Sequence, residues 1–431
     1  MTRKSAQAQA RKAAGNSSAA QLQARIDQAL AYHAAGALVI AELAYENVLA
    51  EQPANAQALQ GLGLLAAQKG DPLRGMELID RAIRLAPNNP TFHANRALIA
   101  KDLMRWPEAL AGLDRAIALK PDYALAQYNK AMLLLLAGDF RRGFELYEWR
   151  WKSTRTPRVL AQPRWQGNVP LADKTLLMHA EQGLGDSIQF CRYALLAAQR
   201  GARVLLEVPE PLVGLLQTLD GAAEVHATGS PLPGFDMHCP MLSLPLAFGT
   251  ETADIPGPRR YLKSDPDKVA QWSARLGPRT RPRVGLAWSG SMQHPGDARR
   301  SIPLAQWLPG LRPDVEYTSL HKDLRDADAA ALREHGGIRH FGSEQHDFTD
   351  AAALAELMDV VVSVDTSLAH LAAAIGRPTW ILLGHVPDWR WQLQRLDSPW
   401  YPTVRLYRQS SAGDWQGVLA EVRRDLEQLP A

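Results

Sequence analysis

The sequence predicts a multidomain chain of α plus α/β class: an N-terminal α-solenoid of helix pairs, followed by two doubly wound α/β lobes. Three observations predict it. A period of 34 residues runs through the first third, and short apolar runs alternating with amphipathic stretches fill the remainder. The length of 431 residues also exceeds one ordinary core and suits about three folding units at roughly 150 residues each.

The period is legible in four columns. Pro53, Pro87 and Pro121 lie 34 apart (87−53 and 121−87), as do Gly36 and Gly70, with Gly138 two periods further on (138−70 = 68). Ala29, Gly63, Ala97 and Ala131 share the frame, and so do Ala41, Gly75, Ala109 and Gly143. Small residues let paired helices approach, glycine turns the chain between them, and proline ends the second helix of a unit. Asp71 before Pro72 reads as an N-cap with proline at the first helical position. Three full units fit, with a fourth from about residue 124. Tyr32, Tyr45, Trp106, Tyr128, Phe140, Phe144, Tyr147 and Trp149 are expected mostly to fill the stack. Stacked pairs create a concave face suited to a polypeptide; bracing the next domain is the alternative use.

The expected organisation is a disordered tail over 1–20, repeats over 21–152, a connector over 153–173, a first lobe over 174–276 and a second over 277–431. Pro157, Pro163, Gly167 and Pro170 mark the connector. In the first lobe TLLMHA, RVLLEV, AEVHATG and FDMHCPMLSLP read as strands, with helices from GLGDSIQF into CRYALLAAQRG and from about Pro209. A Pro/Arg-rich stretch over 277–283 precedes the second, where RVGLAWSG, VEYTSL, IRHFG, DVVVSVDTS and PTWILLG read as strands with helices between them. Lobes of this type place a cleft at the carboxyl ends of their strands.

Composition narrows the function. A net charge of +3 without a long Lys/Arg run sets nucleic acid aside. Cys191 and Cys239 are the only cysteines, expected as free thiols, and no Cys/His spacing suggests a metal. No segment has the length and apolarity of a signal core or membrane span, so a cytoplasmic protein is expected.

Three constellations sit where strands give way to helices. In the first, Glu181, Gln182, Gly183 and Gly185 form a loop whose glycines admit a ligand, and Asp186 reads as an N-cap, as a general base toward an acceptor hydroxyl, or as both. In the second, Asp365, Thr366, Ser367 and His370 open a small-residue helix whose free amides suit a diphosphate; capping by Asp365 and a buried, satisfied His370 are the plainer alternative. In the third, Ser289 and Gly290 offer hydroxyl and backbone donors, and Arg300 offers a cation for phosphate oxygens. Lys322 is either a further cleft cation or a solvated surface lysine. Trp389, Trp391, Trp400 and Tyr401 either stack on a sugar or base or anchor a C-terminal loop.

These residues resemble a known family. The repeats resemble the tetratricopeptide (TPR) repeat. The run Asp365, Thr366, His370, Gly376 and Pro378 resembles the donor lobe of the family containing the ADP-heptose:lipopolysaccharide heptosyltransferases, and EQGLGDSIQF, RSIPL, SVDTSLAHLAAAIGRPTW and VPDWRWQLQRLDSPWYP are similar to strings in bacterial proteins that join TPR repeats to such a module. The resemblance implies two Rossmann-like lobes of the GT-B kind, a catalytic aspartate at Asp186 and a phosphate-contacting cation at Arg300, where the heptosyltransferases usually have lysine. It implies a metal-independent glycosyltransferase without cofactor, taking a nucleotide-diphosphate sugar. A TPR array before a GT-B module also parallels protein O-GlcNAc transferases, so the expected acceptor is a protein or peptide held by the repeats. Two alternatives stand beside it: a scaffold with relic lobes, and a saccharide-directed enzyme like the heptosyltransferases.

Overall fold

The structure is a computed structural model describing residues 20–294 and 296–429. The tail expected over 1–20 lies outside the described residues except for its last position. Two compact units emerge, one running to Leu133 with Trp149–Thr156 added, the other combining Leu134–Glu148 with Pro157–Ala431.

The first unit is a run of antiparallel helix pairs. Helices Leu38–Glu51, Pro72–Leu85 and Trp106–Leu119 close successive units, and Pro53, Pro87 and Pro121 stand just beyond their ends. Side chains cap several starts: Asn55 accepts from Ala58 N–H at 3.0 Å, and Asp71 accepts from Arg74 N–H at 3.0 Å. These bonds satisfy donors that the first helical turn leaves orphaned. The two small-residue columns meet across a pair, because a Cβ on Gly63 would stand 2.8 Å from the Gly75 carbonyl oxygen. Gly36, Gly70 and Gly138 have φ of 76°, 95° and 86°, the left-handed region that glycine enters without steric cost. Met104 occupies the same column in the third unit, with φ of 60°. Two apolar clusters fill the array, one around Tyr45, Leu59 and Leu65, the next around Ile79, Ala97 and Leu113.

The second unit carries two parallel sheets. Strands β1 (Thr175–His179), β2 (Arg203–Val208), β3 (Ala222–Ala227) and β4 (Met237–Pro240) form a four-stranded sheet of order β3-β2-β1-β4. Strands β5 (Arg283–Ala287), β6 (Glu316–Ser319), β7 (Ile338–His340), β8 (Val360–Val364), β9 (Thr379–Leu383) and β10 (Val404–Arg408) form a six-stranded sheet of order β10-β9-β8-β5-β6-β7. The named strands pair with one another in parallel throughout, so both sheets need helices on their faces, and β5, β8 and most of β9 are accordingly buried along their length. The chain is thus a TPR-type solenoid followed by two Rossmann-like lobes. Strand β10 and the helix Trp415–Leu426, whose Val418 and Val422 join the second sheet's core, extend that lobe beyond the elements expected from sequence.

Helix Phe140–Tyr147, the second of the fourth expected repeat, belongs to this unit. Its Phe140 and Phe144 pack with Trp389, and Phe140 stacks on Trp400 at 5.6 Å. Both tryptophans are 2% exposed, so they anchor the C-terminal loop and present no face to a sugar.

Candidate functional site

The site forms where β1 and β8 end. After β1 the chain turns through Glu181 and Gln182 into helix Leu184–Phe190, whose N-cap is Gly183. Asp186 lies in the first turn, and its Oδ2 accepts from Gly183 N–H at 2.8 Å, the return half of a capping box. Glu181 Oε1 accepts from Leu242 N–H at 3.1 Å, and Gln182 Nε2 donates to the Tyr147 hydroxyl at 3.0 Å. The loop is therefore fixed from both sides.

After β8, Thr366 rather than Asp365 caps helix Ser367–Ala374, accepting from Leu368 N–H at 3.3 Å. Freed from capping, the Asp365 carboxyl is pushed up to about 6 by burial and by Asp388 nearby, against the Trp391 indole and the charges of Arg300 and Arg390. His370 is buried, its Nδ1 paired with the Tyr401 hydroxyl at 2.8 Å, its Nε2 4.0 Å from Asp365 and its ring stacked on Trp391. Burial, followed by the charges of Arg390, Arg192 and Arg300, holds the imidazole well below its ordinary pKa, so it stays neutral near pH 7.

The two helix ends meet directly. A Cβ on Gly185 would stand 2.8 Å from His370 Cδ2 and 3.5 Å from Ser367 Cα, so only glycine fits without displacing the ring. Arg390 bridges the same gap. Its Nη2 donates to Asp186 Oδ1, its Nη1 to Asp388 Oδ1 at 2.9 Å and its Nε to Gln189 Oε1 at 2.6 Å. Burial opposes its charge, but Asp388 and Asp186 outweigh burial and drive its pKa further up.

Beyond the neighbouring strand β5, in the short helix Asp297–Arg300, Arg300 Nη1 donates to the Asp365 carbonyl at 2.8 Å, which sets the guanidinium beside the opening of helix Ser367–Ala374. Gly290 contributes differently from expectation. Its N–H already donates to Ser301 Oγ at 3.0 Å and its carbonyl accepts from Arg325 at 3.0 Å, so it offers no free backbone donor there. What it supplies is room, because a Cβ would lie 2.6 Å from Arg300 Nη2. Ser289 lies between this glycine and the buried Trp288, whose N–H donates to His321 Nε2 at 3.0 Å. Lys322 is exposed and donates to the His346 carbonyl at 2.9 Å, beyond β6 and away from this cluster's hydrogen bonds.

The structure thus brings together Asp186, Gly185, Arg300, Asp365, Thr366, Ser367 and His370, and adds Asp388 and Arg390. The string holding Arg390 is visible in sequence, but its partner stands 204 positions away. Elsewhere, a hollow of about 520 Å³ among the repeat turns is lined by Pro87, Asn88, Pro90, Lys120 and Tyr123 and holds no carboxylate, imidazole or thiol.

The fold defines a class, a TPR-type array joined to two Rossmann-like lobes. Residues 345–412, which run from before β8 through β10, match the family model described as glycosyltransferase family 9 (heptosyltransferase). Over 416 residues the chain is 28% identical to protein FlbA of Caulobacter vibrioides, covering 89% of this chain and 69% of that one. The TPR repeat-containing thioredoxin TTL4 of Arabidopsis thaliana is 29% identical over 98 residues, 23% of this chain and 14% of that protein. Among solved structures, a mutant O-GlcNAc transferase of Thermobaculum terrenum aligns over 95% of this chain and 93% of its own at 18% identity and a TM-score of 0.35. The MamA protein aligns over 31% of this chain and 73% of its own at 23% identity and a TM-score of 0.27. Among the described residues no helix is long and apolar enough to cross a membrane.

Proposed function

We propose that the α/β unit transfers a glycosyl group from a nucleoside-diphosphate sugar to a hydroxyl of a protein or peptide. The diphosphate sits at the N-terminus of helix Ser367–Ala374, where the positive end of the helix and the guanidinium of Arg300 balance its charge. The acceptor oxygen attacks the anomeric carbon and its proton passes to Asp186. The bond from anomeric carbon to phosphate oxygen breaks, and the nucleoside diphosphate leaves with the electron pair. With an arginine and a helix terminus as counter-charge, this reading requires no metal. The Thr366 and Ser367 hydroxyls and Ser289 are the polar groups available to orient the donor, and Lys322 serves at most its outer edge.

One observation carries the reading: the helix that bears Asp186 meets the start of helix Ser367–Ala374 across a contact that only Gly185 permits. The family 9 match over 345–412 supports the donor side. The repeats supply the reason for a polypeptide acceptor, since stacked helix pairs present extended surfaces of that kind. Calorimetric titration with ADP, GDP and UDP tests the donor half. One of them is expected to bind, and Arg300→Ala is expected to weaken it about tenfold or more. Absence of binding by all three, together with indifference to Arg300→Ala, would refute the donor half. Mass spectrometry of proteins incubated with the enzyme and a nucleotide-sugar mixture, searched for hexose, N-acetylhexosamine or heptose increments, tests the acceptor half.

A further inference from the structure

Arg390 is only 8% exposed, and all three of its guanidinium nitrogens are engaged, on Asp186, Asp388 and Gln189. Its guanidinium lies over the Trp389 ring at 4.5 Å. Asp186 therefore has one oxygen held by this cation and the other by Gly183 N–H. Both oxygens already accept from donors, so an acceptor hydroxyl must compete with the guanidinium and the amide for this carboxylate. That opposes the role of general base, and relief must come from something that competes for the guanidinium. A diphosphate is such a competitor, because its adjacent oxygens match the guanidinium fork and carry more charge than one carboxylate. It would also be close by. The adjoining Trp391 stacks at 5.4 Å on His370, within the helix at which the diphosphate is placed.

We propose that Arg390 is a positioning residue that exchanges partners, clamping Asp186 while the donor is absent and turning to the donor diphosphate when it arrives, so that the base is released only in a loaded site. The proposal rests on the glycosyltransferase reading above. It adds an ordered sequence, donor before acceptor, because the base becomes available only once the donor has drawn Arg390 away.

The test is a double-mutant cycle on the full chain, read by calorimetry with ADP, GDP and UDP as probes. Asp186→Asn loosens the clamp and should tighten nucleoside-diphosphate binding about five- to tenfold. Arg390→Gln should weaken it by a similar factor, and Arg390→Lys should restore part of the loss by retaining the charge. In the double variant the gain from Asp186→Asn should vanish, because no arginine is left to release. A gain that persists in the Arg390→Gln background would mean that removing negative charge alone tightens binding, and would overturn the exchange. So would an Asp186→Asn variant that binds no better than wild type. Thermal melts of each variant identify any that fail to fold, and the lysine variant keeps the cycle decisive if the glutamine variant does. If wild type binds none of the probes, the glycosyltransferase reading falls and the exchange with it; if wild type binds and only the Asp186→Asn gain is missing, the exchange alone falls.

Discussion

In the repeat unit, Gly63 and Gly75 bring two helix backbones together, and the side chains buried around them are mostly alanine, leucine and isoleucine. Its charged pairs, such as Lys69–Glu42 and Arg96–Asp80, keep a quarter to two-fifths of their side-chain surface in solvent. At the ends of β1 and β8 the pattern inverts, and Arg192, His370 and Arg390 are buried with Asp365 and Asp186 beside them. Among the described residues Arg192 has no carboxylate as a hydrogen-bond partner; it donates to the Gln189 and Trp400 carbonyls and the Tyr261 hydroxyl. Burying charge costs stability that apolar packing of the same volume does not. A region that retains such groups has been shaped by something other than stability, and the contrast therefore separates scaffold from site.

The contrast can be broken at either end. The largest effect is expected at Asp186, where Asp186→Asn should lower glycosyl transfer roughly 10²- to 10⁴-fold in a variant whose circular dichroism shows it folded. A variant with full activity would remove the general base from the reading. Next, Gly63→Val forces a side chain against the Gly75 carbonyl and Ile79, each 2.8 Å from the new Cβ, and should cost about 3 kcal/mol in the repeat unit by denaturant unfolding. Nucleoside-diphosphate affinity should stay as it was, because the damage is confined to helix packing.

Asp365 gives the opposite sign. Its carboxyl titrates near 6 in the folded chain, against 3.8 for the ordinary side chain. The folded state therefore binds a proton that the unfolded state has already lost, and stability present below pH 4 is surrendered as pH rises through 6. Asp365→Asn should thus raise stability at pH 7.5 by on the order of 2 kcal/mol, with the advantage shrinking toward pH 4. Chemical melts of both proteins at several pH values check this, and an advantage independent of pH would point to a cause other than titration. Smallest of all, Met104→Gly should stabilise the third repeat by about 0.5–1 kcal/mol, since methionine there holds the left-handed turn that glycine holds at positions 36, 70 and 138.

The repeat register was readable because a helix pair closes over short separations. Gly63 and Gly75 are twelve positions apart, so composition at fixed spacing already encodes their contact. Strands with continuous apolar runs, such as Val360–Val364, were readable for a similar reason, since burial on both faces leaves few residue types available. Strand β10 was not: in Val404–Arg408 an exposed Arg405 alternates with buried neighbours, and its identity as the last strand beside β9 depends on where that edge falls. Cutting the chain at residue 151 to remove the repeats would also take Phe140 and Phe144 from a cluster shared with Trp389.

By itself the sequence determined the repeat period, the order of strands as far as β9, and the residues that follow β1, β5 and β8, because each of these is written in spacing between near neighbours. Tertiary structure alone decided that Thr366 rather than Asp365 caps its helix, that Trp389 and Trp400 are packing, and that Arg390 closes on Asp186. Those outcomes turn on which distant surfaces meet and how much water they exclude. Burial and charge pairing are properties of the assembled neighbourhood, and no local pattern of residues carries them.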